Sequence, residues 1–544
     1  MEAGQIRSLW QEMKALDWVF WVCIYMELME RMAYYGVRLV VPVYMVLPES
    51  AGGPGLSHTE KGTILAFWAA TQSWLPTFSG GFSDRYGYKR TLAAAVFLKS
   101  AGYAVMAMAS GFWVFMLGTQ LLAAGTGIFK PGLQGTMAHS IARAKSGSVG
   151  WGLFYQSVNV GAFFGAYIPA YTRDVYGWSS VFVACSVLVF LNLIPLATYQ
   201  EPVDERATTA DRRSLFELVR ESVTTLITSP VLLGFVLISA GFWFAFHQFF
   251  DMLPNYVDDW TDSSGLRAAL GRTFGWAEWA SDGKNIPQEQ LLNLNAFLIM
   301  TTMFAVAWVS GKMRVLVSTM AGMAIASGAL VLLVYSPAVG TLLIAVVAFT
   351  LGEMFASPKR QEYMASLAPP GKRALYLGYA NMPDGIGWVL GSLVAGGQYE
   401  VSGDKVNLAR RLLAEEGSVG AVDGWLSSAA AGQPSAEVLK ELAERMHTDT
   451  PAAAVQALQA LPDAERLVAA AEALPRGVVL DVVTSAFPTL PNGVAISDAA
   501  LREFLFATYH PGSVWWVFIG VGLLSMVLMA GYDRWVRSRV PAGS

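Results

Sequence analysis

A stripe of charged and aromatic residues crosses the first apolar segment of the chain, in the run ELMERMAYYGVR. Six residues fall at helical spacing on one helix face: Glu27, Glu30, Arg31, Tyr34, Tyr35 and Arg38. A charge at the centre of a bilayer costs about 2.5 to 3.5 kcal/mol, so this face is expected to look into a bundle interior or a watery cavity. Two acids beside one base cannot all be charged comfortably there. Glu27, Glu30 and Arg31 therefore indicate a proton-coupling site, with a structural ion-pair cluster as the alternative.

A second base embedded in an apolar segment is Lys130, in the run GTGIFKPG. Pro131 interrupts the helical hydrogen-bond ladder at this point, and the neighbouring glycines let another helix approach. A lysine near a membrane edge can extend its side chain to the surface. Lys130 lies well inside its segment, so we expect it instead to attract an anionic substrate group or to pair with a carboxylate.

The composition indicates which elements must position these residues. The chain has 544 residues, of which 54% are hydrophobic and 14% charged. Its apolar runs repeatedly reach the roughly 20 residues that a bilayer crossing requires. The predicted fold class is an all-α membrane protein with about twelve transmembrane helices in two six-helix bundles. The predicted spans are 16–47, 61–82, 89–110, 112–140, 149–171, 177–198, 229–256, 290–311, 313–335, 339–367, 373–397 and 512–536.

Lysine and arginine concentrate in the connections on one side of the predicted bundles, which places that side and both termini in the cytoplasm. The first apolar run is too long for a cleavable signal and is expected to be retained. The outward loops lack an N-x-[ST] sequon. The expected location is therefore the lipid bilayer of a cell membrane, and more specifically a bacterial inner membrane.

Charge and cysteine content exclude several other classes of partner. The net charge of −4 is small and spread along the chain, which argues against a nucleic-acid partner. Cys23 and Cys185 both fall within predicted spans and are expected to be small buried residues. No metal or cofactor is expected, and the coupling ion would be a proton.

The predicted domains differ in composition. They are an N-terminal bundle (1–198), a cytoplasmic connector (199–228), helices 7 to 11 (229–397), an extracytoplasmic insert (398–510), and helix 12 with a cytoplasmic tail (511–544). The insert far exceeds ordinary loop lengths, so we expect it to fold into helices over 407–414, 436–446, 451–460 and 463–473, with Thr450 as a cap. A further surface helix is expected over 266–274. The insert is either a small structural module or a binding surface for a partner in the cell envelope.

The turn between predicted spans 2 and 3 has the sequence GGFSDRYGYKRT. Its glycines suit a place where helices meet closely, and its charges can pair across the cytoplasmic ends in only one of two conformations. The predicted cytoplasmic gate consists of Asp84, Arg85, Lys89 and Arg90. The turn resembles the signature loop of the major facilitator superfamily.

Four further motifs resemble the proton-dependent oligopeptide transporter family within that superfamily. ELMERMAYYG is similar to the family's E-x-x-E-R-F-x-Y-Y-G, with Met32 in place of Phe, and FYQSVNVGA is similar to F-Y-x-x-I-N-x-G-[SA]. The pair Lys130-Pro131 and the run GEMFASP are similar to family motifs in spans 4 and 10. The resemblance covers spans 1 to 5 well and the second half thinly, so the chain is identified as a divergent member.

The resemblance implies a role for each matching position. Arg38 and Lys130 would hold a peptide carboxylate, and Glu353 would hold the peptide amino terminus. Backbone hydrogen bonds would come from Tyr34, Tyr35, Asn159 and Asn295. The proton would be coupled by Glu27, Glu30 and Arg31.

Several residues depart from the family pattern. His247 stands where the family usually has a glutamate, so Lys130 would lose its expected partner. Asp251, one turn later, is a candidate replacement, whereas His247 could itself take up the proton or be purely structural. Trp74 replaces a tyrosine that faces substrate in the family, and it would reshape the pocket.

Charges near predicted spans 10 and 11 depart from the pattern as well. The run from Lys359 through Arg360 to Glu362 either extends toward the cytoplasm or adds positive charge at the cytoplasmic mouth. In the second case a more anionic cargo would be favoured. Asp384 is an intramembrane acid with no obvious counterpart in the family.

The expected function is a proton-coupled symporter that imports di- or tripeptides, or peptide-like solutes, by alternating access. Such a zwitterionic cargo needs opposite charges on the two halves of a cavity. One alternative keeps the fold but carries an organic anion or another metabolite. A second is a sensor or envelope-interaction protein that signals through the insert. An enzyme is not expected, because no nucleophile, base and orienting acid occur at defensible spacings.

Overall fold

The computed structural model describes residues 10–144, 147–200, 215–369, 376 and 378–539, and within these ranges the only β-pairing is one bridge between Thr489 and Ala495. The first bundle contains α1 (Trp18–Arg38), α2 (His58–Tyr86), α3 (Tyr88–Ala107), α4 (Phe112–Ala144), α5 (Gly147–Gly165) and α6 (Ser179–Phe190). The second contains α7 (Pro230–Phe246), α8 (Leu294–Ser310), α9 (Val315–Tyr335), α10 (Val339–Leu367), α11 (Met382–Ser402) and α12 (Trp515–Arg539). Each bundle has its own hydrophobic core.

Helical structure lies over every predicted span, although several helices continue after a break. The continuing segments are Val41–Val46, Tyr167–Tyr176, Leu193–Thr198, Gln248–Asp251, Leu253–Trp260 and Gln288–Leu292. Among the described residues, seven helical stretches are long and apolar enough to cross a membrane. They correspond to α4, α6, α7, α8, α9, α10 and α12 with their continuations. The multi-pass all-helical fold is thus observed, and the number of twelve crossings stays a prediction.

Local sequence explains where the first helices begin and end. Asp17 caps α1 by accepting a hydrogen bond from the Phe20 backbone N–H at 3.1 Å. Ser57 and Glu60 form a reciprocal capping box at the start of α2. Gly87 alone separates α2 from α3, with a φ of +92° that favours glycine. The tight turn that was predicted here is therefore observed.

The connector and the surface helix were partly foreseen. A helix occupies Leu215–Thr228, while residues 201–214 of the predicted connector lie outside the described residues. The surface helix predicted over 266–274 is observed as Ser264–Phe274. Arg267 on this helix makes an ion pair with Asp282 at 2.5 Å, which holds the loop that follows.

The insert is a folded helical layer. Its helices are Lys405–Glu416, Val419–Ala430, Ala436–Arg445, Pro451–Gln459, Asp463–Ala473, Val479–Ala486 and Asp498–Tyr509. Four of these match the predicted helices. Thr450 caps the helix Pro451–Gln459 by accepting a hydrogen bond from Ala453 N–H at 3.2 Å. The insert's buried leucines and valines continue the core of the second bundle, so the insert packs on that bundle.

We call the end of the bundles from which residues 398–510 emerge the insert end, and the opposite end the connector end. At the insert end α2 and α11 touch closely, since a Cβ on Gly62 would lie 2.5 Å from the Ser392 carbonyl oxygen and 3.0 Å from the Gly396 Cα. Further contacts between the bundles follow nearby. The Gln288 side chain donates to Leu39 O at 2.9 Å, and Arg173 pairs with Glu289 at 3.0 Å. The bundles are therefore closed against each other at this end.

Candidate functional site: a charged chamber between the bundles

The acid and base stripe of α1 is buried inside the first bundle. Arg31 makes an ion pair with Glu30 and lies 3.4 Å from the Glu27 carboxylate. All three side chains are almost completely buried. The arrangement avoids lipid, as the sequence predicted, and concentrates two carboxylates around one guanidinium.

Lys99 on α3 is a member of this cluster that the sequence analysis missed. It makes a second ion pair with Glu30, and its Nζ donates to Thr126 Oγ1 at 2.7 Å. The absence of a side chain at Gly125 leaves room for the lysine stem. The signal was available, because Lys99 is a lone lysine in the middle of the apolar run LAAAVFLKSAGYAVMAMA.

The two carboxylates of the stripe differ in how firmly they are held. Glu30 accepts hydrogen bonds from both Arg31 and Lys99. Glu27 has only the 3.4 Å contact to Arg31, and its Oε2 is buried without a hydrogen-bond partner among the described residues. A carboxylate in that state is poorly compensated for the loss of water. Glu27 is thus the more readily protonated of the two on geometric grounds.

Gly161, in the motif FYQSVNVGA of α5, fixes the position of Arg31. A Cβ at Gly161 would lie 2.7 Å from the Arg31 Cβ and 2.8 Å from the Leu28 carbonyl oxygen. Any side chain larger than hydrogen would push α5 away from α1. The motif therefore serves the close packing that places the stripe.

The predicted backbone-binding residues have different environments. The Tyr34 hydroxyl accepts a hydrogen bond from the Gln72 side chain at 3.0 Å, and its ring lies 4.7 Å from the Arg31 guanidinium. The Tyr35 ring lies 6.4 Å from Phe250 in the opposite bundle. Asn159 donates to Tyr155 O of its own helix at 2.9 Å. Among the ring contacts and hydrogen bonds of the described residues, Tyr35 alone of these three reaches the opposite bundle.

Arg38 does not stand free for a carboxylate. It makes a buried ion pair with Asp251 in the second bundle and donates to Phe250 O at 3.1 Å. Asp251 also accepts hydrogen bonds from Trp388 Nε1 at 2.9 Å and Ser392 Oγ at 2.7 Å. The suggestion that Asp251 would serve as the partner of Lys130 is therefore wrong in this structure, because Arg38 is nearer and occupies it.

Lys130 on α4 is a cation within an apolar helix that has no partner among the described residues. It makes no hydrogen bond or ion pair with any residue that the structure describes. It is partly exposed and lies within electrostatic range of Glu27 and Arg31 on its own side and Asp384 on the other. Its position at the boundary of the bundles leaves a positive charge available to a ligand.

Glu353 on α10 is the corresponding anion of the second bundle. Its Oε2 accepts a hydrogen bond from the Asn295 side chain at 2.9 Å, and Asn295 donates also to Thr350 Oγ1 at 3.0 Å. No cation of the described residues lies in electrostatic range of this carboxylate. Glu353 does lie in range of Tyr35 and Tyr155 of the first bundle, so it too faces the boundary.

His247 pairs within its own bundle. Its Nε2 lies 3.2 Å from the Asp384 carboxylate, and its ring stacks on Trp388 with centroids 4.5 Å apart. Arg360 lies 3.4 Å from the same carboxylate and 4.2 Å from the Trp243 ring. Three of the charges that departed from the family pattern, His247, Arg360 and Asp384, therefore form one cluster rather than replacing the missing glutamate at Lys130.

Two aromatic residues at the boundary between the bundles are partly exposed. Trp74 is 44% exposed although its Nε1 lies 3.0 Å from where a Cβ of Gly385 would be, and Tyr155 is 44% exposed although it faces Glu353. Among the described residues, the hydrogen bonds that join the bundles lie at the insert end, except one from Gln156 to Met300 O at 3.2 Å near the middle of both helices. We call the region between the bundles around Lys130, Glu353, Trp74 and Tyr155 the chamber, and these bonds join the bundles mainly at its insert end.

The predicted cytoplasmic gate is only partly described. The side chains of Asp84 and Arg85 lie outside the described residues. Lys89 donates to Tyr199 O at 2.7 Å within the first bundle, and Arg90 is exposed. Pairing of this turn across the bundles stays a prediction.

A second polar cluster, also missed in the sequence, seals the insert end. Asp404 lies 3.3 Å from the His58 Nε2 of α2 and accepts a hydrogen bond from Arg476 Nη1 of the insert at 2.7 Å. Lys61 on α2 donates to Asn255 Oδ1 at 2.7 Å. The insert, α2 and the second bundle are thereby joined through buried charges.

The acids in this cluster have opposite pKa shifts. Burial disfavours the charged form of Asp404, but the Arg476 guanidinium and the His58 ring outweigh it and hold its pKa well below the usual range. Burial, followed by the nearby charge of Asp404, raises the pKa of Asp259 to about 7. The Tyr399 hydroxyl donates to Asp259 at 2.8 Å. One acid is thus fixed as an anion, while its neighbour titrates near neutrality.

Comparison with known proteins identifies the fold. The Major Facilitator Superfamily profile matches residues 26–392, which is more than half of the chain. The dipeptide and tripeptide permease A of Serratia proteamaculans (strain 568) is 26% identical over 200 residues, covering 36% of this chain and 38% of the permease. The match therefore spans well under half of the permease's length.

Two further similarities, one in sequence and one in structure, cover more of the chain. The multidrug resistance protein MdtH of Edwardsiella ictaluri (strain 93-146) is 24% identical over 348 residues, covering 62% of this chain and 77% of MdtH. The crystal structure of the peptide transporter POT in complex with sulfate has a TM-score of 0.57 at 18% identity, covering 69% of this chain and 88% of that one. At such identity the structural likeness concerns the fold alone. The chain belongs to the Major Facilitator Superfamily and is a multi-pass membrane transporter rather than an enzyme.

Proposed function

We propose that this protein is a proton-coupled symporter that imports di- and tripeptides or peptide-like solutes. The observation that carries the proposal is the pair of uncompensated opposite charges on facing bundles, Lys130 on α4 and Glu353 on α10. A zwitterion placed between them satisfies both charges at once, which neither a neutral solute nor a simple cation would do.

The termini of a peptide would be held by different bundles. Lys130 would bind the carboxylate, and Glu353, oriented by Asn295, would bind the amino group. Tyr35, Asn159 and Trp74 would line the space between them. Because only the termini are held by charge, side chains of different size would be accepted.

The proton site is assigned to Glu27 rather than shared equally with Glu30. Two cations hold Glu30, whereas one Glu27 oxygen has no hydrogen-bond partner among the described residues. Protonation of Glu27 would free Arg31 from its second carboxylate and raise the positive potential around Lys130. Cargo carboxylate and proton would then bind together, which is the requirement for symport.

Arg38 takes a different role from the one the resemblance implied. Its ion pair with Asp251 joins the bundles at the insert end, so it would act as a lock in the closed state. Opening of that end would break this pair together with the His58 to Asp404 contact. The turn containing Asp84, Arg85, Lys89 and Arg90 would form the matching gate at the connector end.

The insert end would face the outside of an inner membrane, with both termini in the cytoplasm. The insert packs on both bundles, as the contact of Gly477 with Ser50 and the ion pair of Arg502 with Asp262 at 2.7 Å illustrate. These contacts favour a structural role in sealing the transporter. An envelope partner would have to bind the insert's outward surface.

One liposome experiment tests both the proposed function and the alternative that the cargo is an organic anion or another metabolite. Purified protein in liposomes should accumulate labelled dialanine when the lumen is alkaline, and a protonophore should abolish accumulation. Glu353→Gln and Lys130→Ala should each lower it by about 10- to 100-fold, because each removes one of the two terminal contacts. Accumulation that is independent of the pH gradient would exclude proton coupling. Competition by organic anions but not by dipeptides would favour a carrier of another metabolite.

A further inference from the structure

Arg360 is a cation with two poorly satisfied hydrogen-bond donor atoms. Its Nε and Nη1 atoms are buried and have no hydrogen-bond partner among the described residues. Its contact with Asp384 is an ion pair at 3.4 Å, beyond good hydrogen-bond geometry. An unsatisfied buried donor costs about 1–3 kcal/mol, and more when it is charged. A ligand that offers an acceptor to these N–H groups would recover that cost.

The guanidinium is held in place without a ligand. Its plane lies over the Trp243 ring, 4.2 Å from the centroid, and only 13% of the side chain is exposed. His247, stacked on Trp388, contacts the same Asp384 oxygen, Oδ1, as Arg360 does. The guanidinium is therefore held in one orientation in advance, which lowers the entropy that binding must cost.

The positive charge around Arg360 is not cancelled by Asp384 alone. Asp384 lies in the first turn of α11, where the helix dipole already stabilises a negative charge, and it is shared between Arg360 and His247. Lys130 adds a second cation from the facing bundle within electrostatic range. The side chain of Asp384 is 24% exposed, so the cluster borders the accessible part of the chamber.

We propose that Arg360, beside Asp384 and opposite Lys130, forms a second anion subsite, and that the preferred cargo is a peptide or peptide-like zwitterion carrying an additional carboxylate. This inference rests on the proposed function, because it assigns a specificity to the same chamber. The guanidinium would bridge two carboxylates, one from the protein and one from the cargo.

The test compares two peptides that differ by one charge, alanyl-glutamate and alanyl-glutamine, as competitors of labelled dialanine uptake in proteoliposomes. In the unmodified protein the acidic peptide should inhibit at the lower concentration. Arg360→Gln should raise the ratio of inhibitory concentrations, acidic over neutral, by about tenfold or more, which is the usual value of a hydrogen bond to a charged group. The neutral peptide should be nearly unaffected, and Arg360→Lys should retain part of the preference.

Lys359→Gln is the matched control. Lys359 precedes Arg360 on the same helix and pairs with Glu362 at 2.8 Å. Its replacement should leave the ratio unchanged. An equal loss of both peptides in Arg360→Gln, an unchanged ratio, or the same shift in Lys359→Gln would overturn the subsite while leaving the proposed function intact. If the unmodified protein responds to neither peptide, the proposed function fails and the subsite falls with it.

Discussion

The two ends of the boundary between the bundles are built on different principles. At the insert end charges are paired across the boundary, as with Arg38 and Asp251 or Arg173 and Glu289. In the chamber, by contrast, Lys130 and Glu353 face the boundary and neither makes an ion pair with the described residues. Paired buried charges hold one conformation, whereas unpaired charges are retained at a cost and await a ligand. Substitutions at the two ends should therefore affect different properties.

The largest effect is expected from Asp251→Asn. Arg38 is 2% exposed, and losing its partner leaves a buried charge uncompensated. The expected cost is about 3–5 kcal/mol of unfolding free energy. Thermal unfolding in detergent would measure it. Asp262→Asn is the control, because its partner Arg502 binds a half-exposed carboxylate whose loss costs about 0–1 kcal/mol. Equal melting temperatures for the two variants would contradict the comparison.

The next contrast concerns two intramembrane lysines. Lys99→Met removes a partner of Glu30 and should destabilise the first bundle by about 3 kcal/mol. Lys130→Met should leave the melting temperature nearly unchanged yet lower dipeptide uptake by about 10- to 100-fold. Stability and uptake measured on the same preparations would separate these outcomes. The distinction between paired and free charge is lost if Lys130→Met unfolds as readily as Lys99→Met.

A smaller effect is expected where a glycine positions the stripe. In Gly161→Ala the new Cβ would collide with Arg31 and with the α1 backbone, costing about 1–3 kcal/mol. Gly152→Ala on the same helix is the control, since nothing lies within 4 Å of its Cβ position. It should be neutral, or stabilising by up to about 1 kcal/mol. Melting temperatures test both, and equal losses would show that α5 is simply intolerant of alanine.

The smallest expected effect is a pH dependence of folding stability, which arises from Asp259 at the insert end. Because the folded pKa of Asp259 is about 7, above its ordinary value of about 4, the folded chain binds this proton more tightly than the unfolded chain does. Its contribution to stability is greatest at low pH and falls as the pH rises from about 4 to 7. Asp259→Asn should flatten that fall between pH 5 and 8. Asp404, with its low pKa, should not titrate in this window.

Local features were predictable from the sequence because short-range rules decide them. The charged face of α1, the surface helix at Ser264–Phe274 and the Thr450 cap all follow from spacing and residue type. Lys99 could also have been found, since a lysine within an apolar run is visible without a structure. The resemblance to known motifs led correctly to the superfamily.

The partners of the charges were not predictable. Arg38 and Asp251 are 213 residues apart, and only the packing of the two bundles brings them together. The contact of Asp404 with His58 and Arg476 depends on how the insert lies on α2. Such pairings are set by tertiary geometry and leave no periodic trace in one sequence. For that reason the sequence offers Asp251 as a candidate partner for Lys130, although Asp251 pairs with Arg38.

The claim that Glu27 couples cargo movement to the proton is tested most directly by measuring peptide accumulation and peptide exchange in the variant Glu27→Gln. Glutamine keeps the shape of the side chain but cannot take up a proton, so this variant should lose accumulation of labelled dialanine driven by a pH gradient. It should still exchange labelled for unlabelled peptide across the liposome membrane when no gradient is present. Accumulation at the level of the unmodified protein would contradict the assignment of Glu27 as the coupling carboxylate.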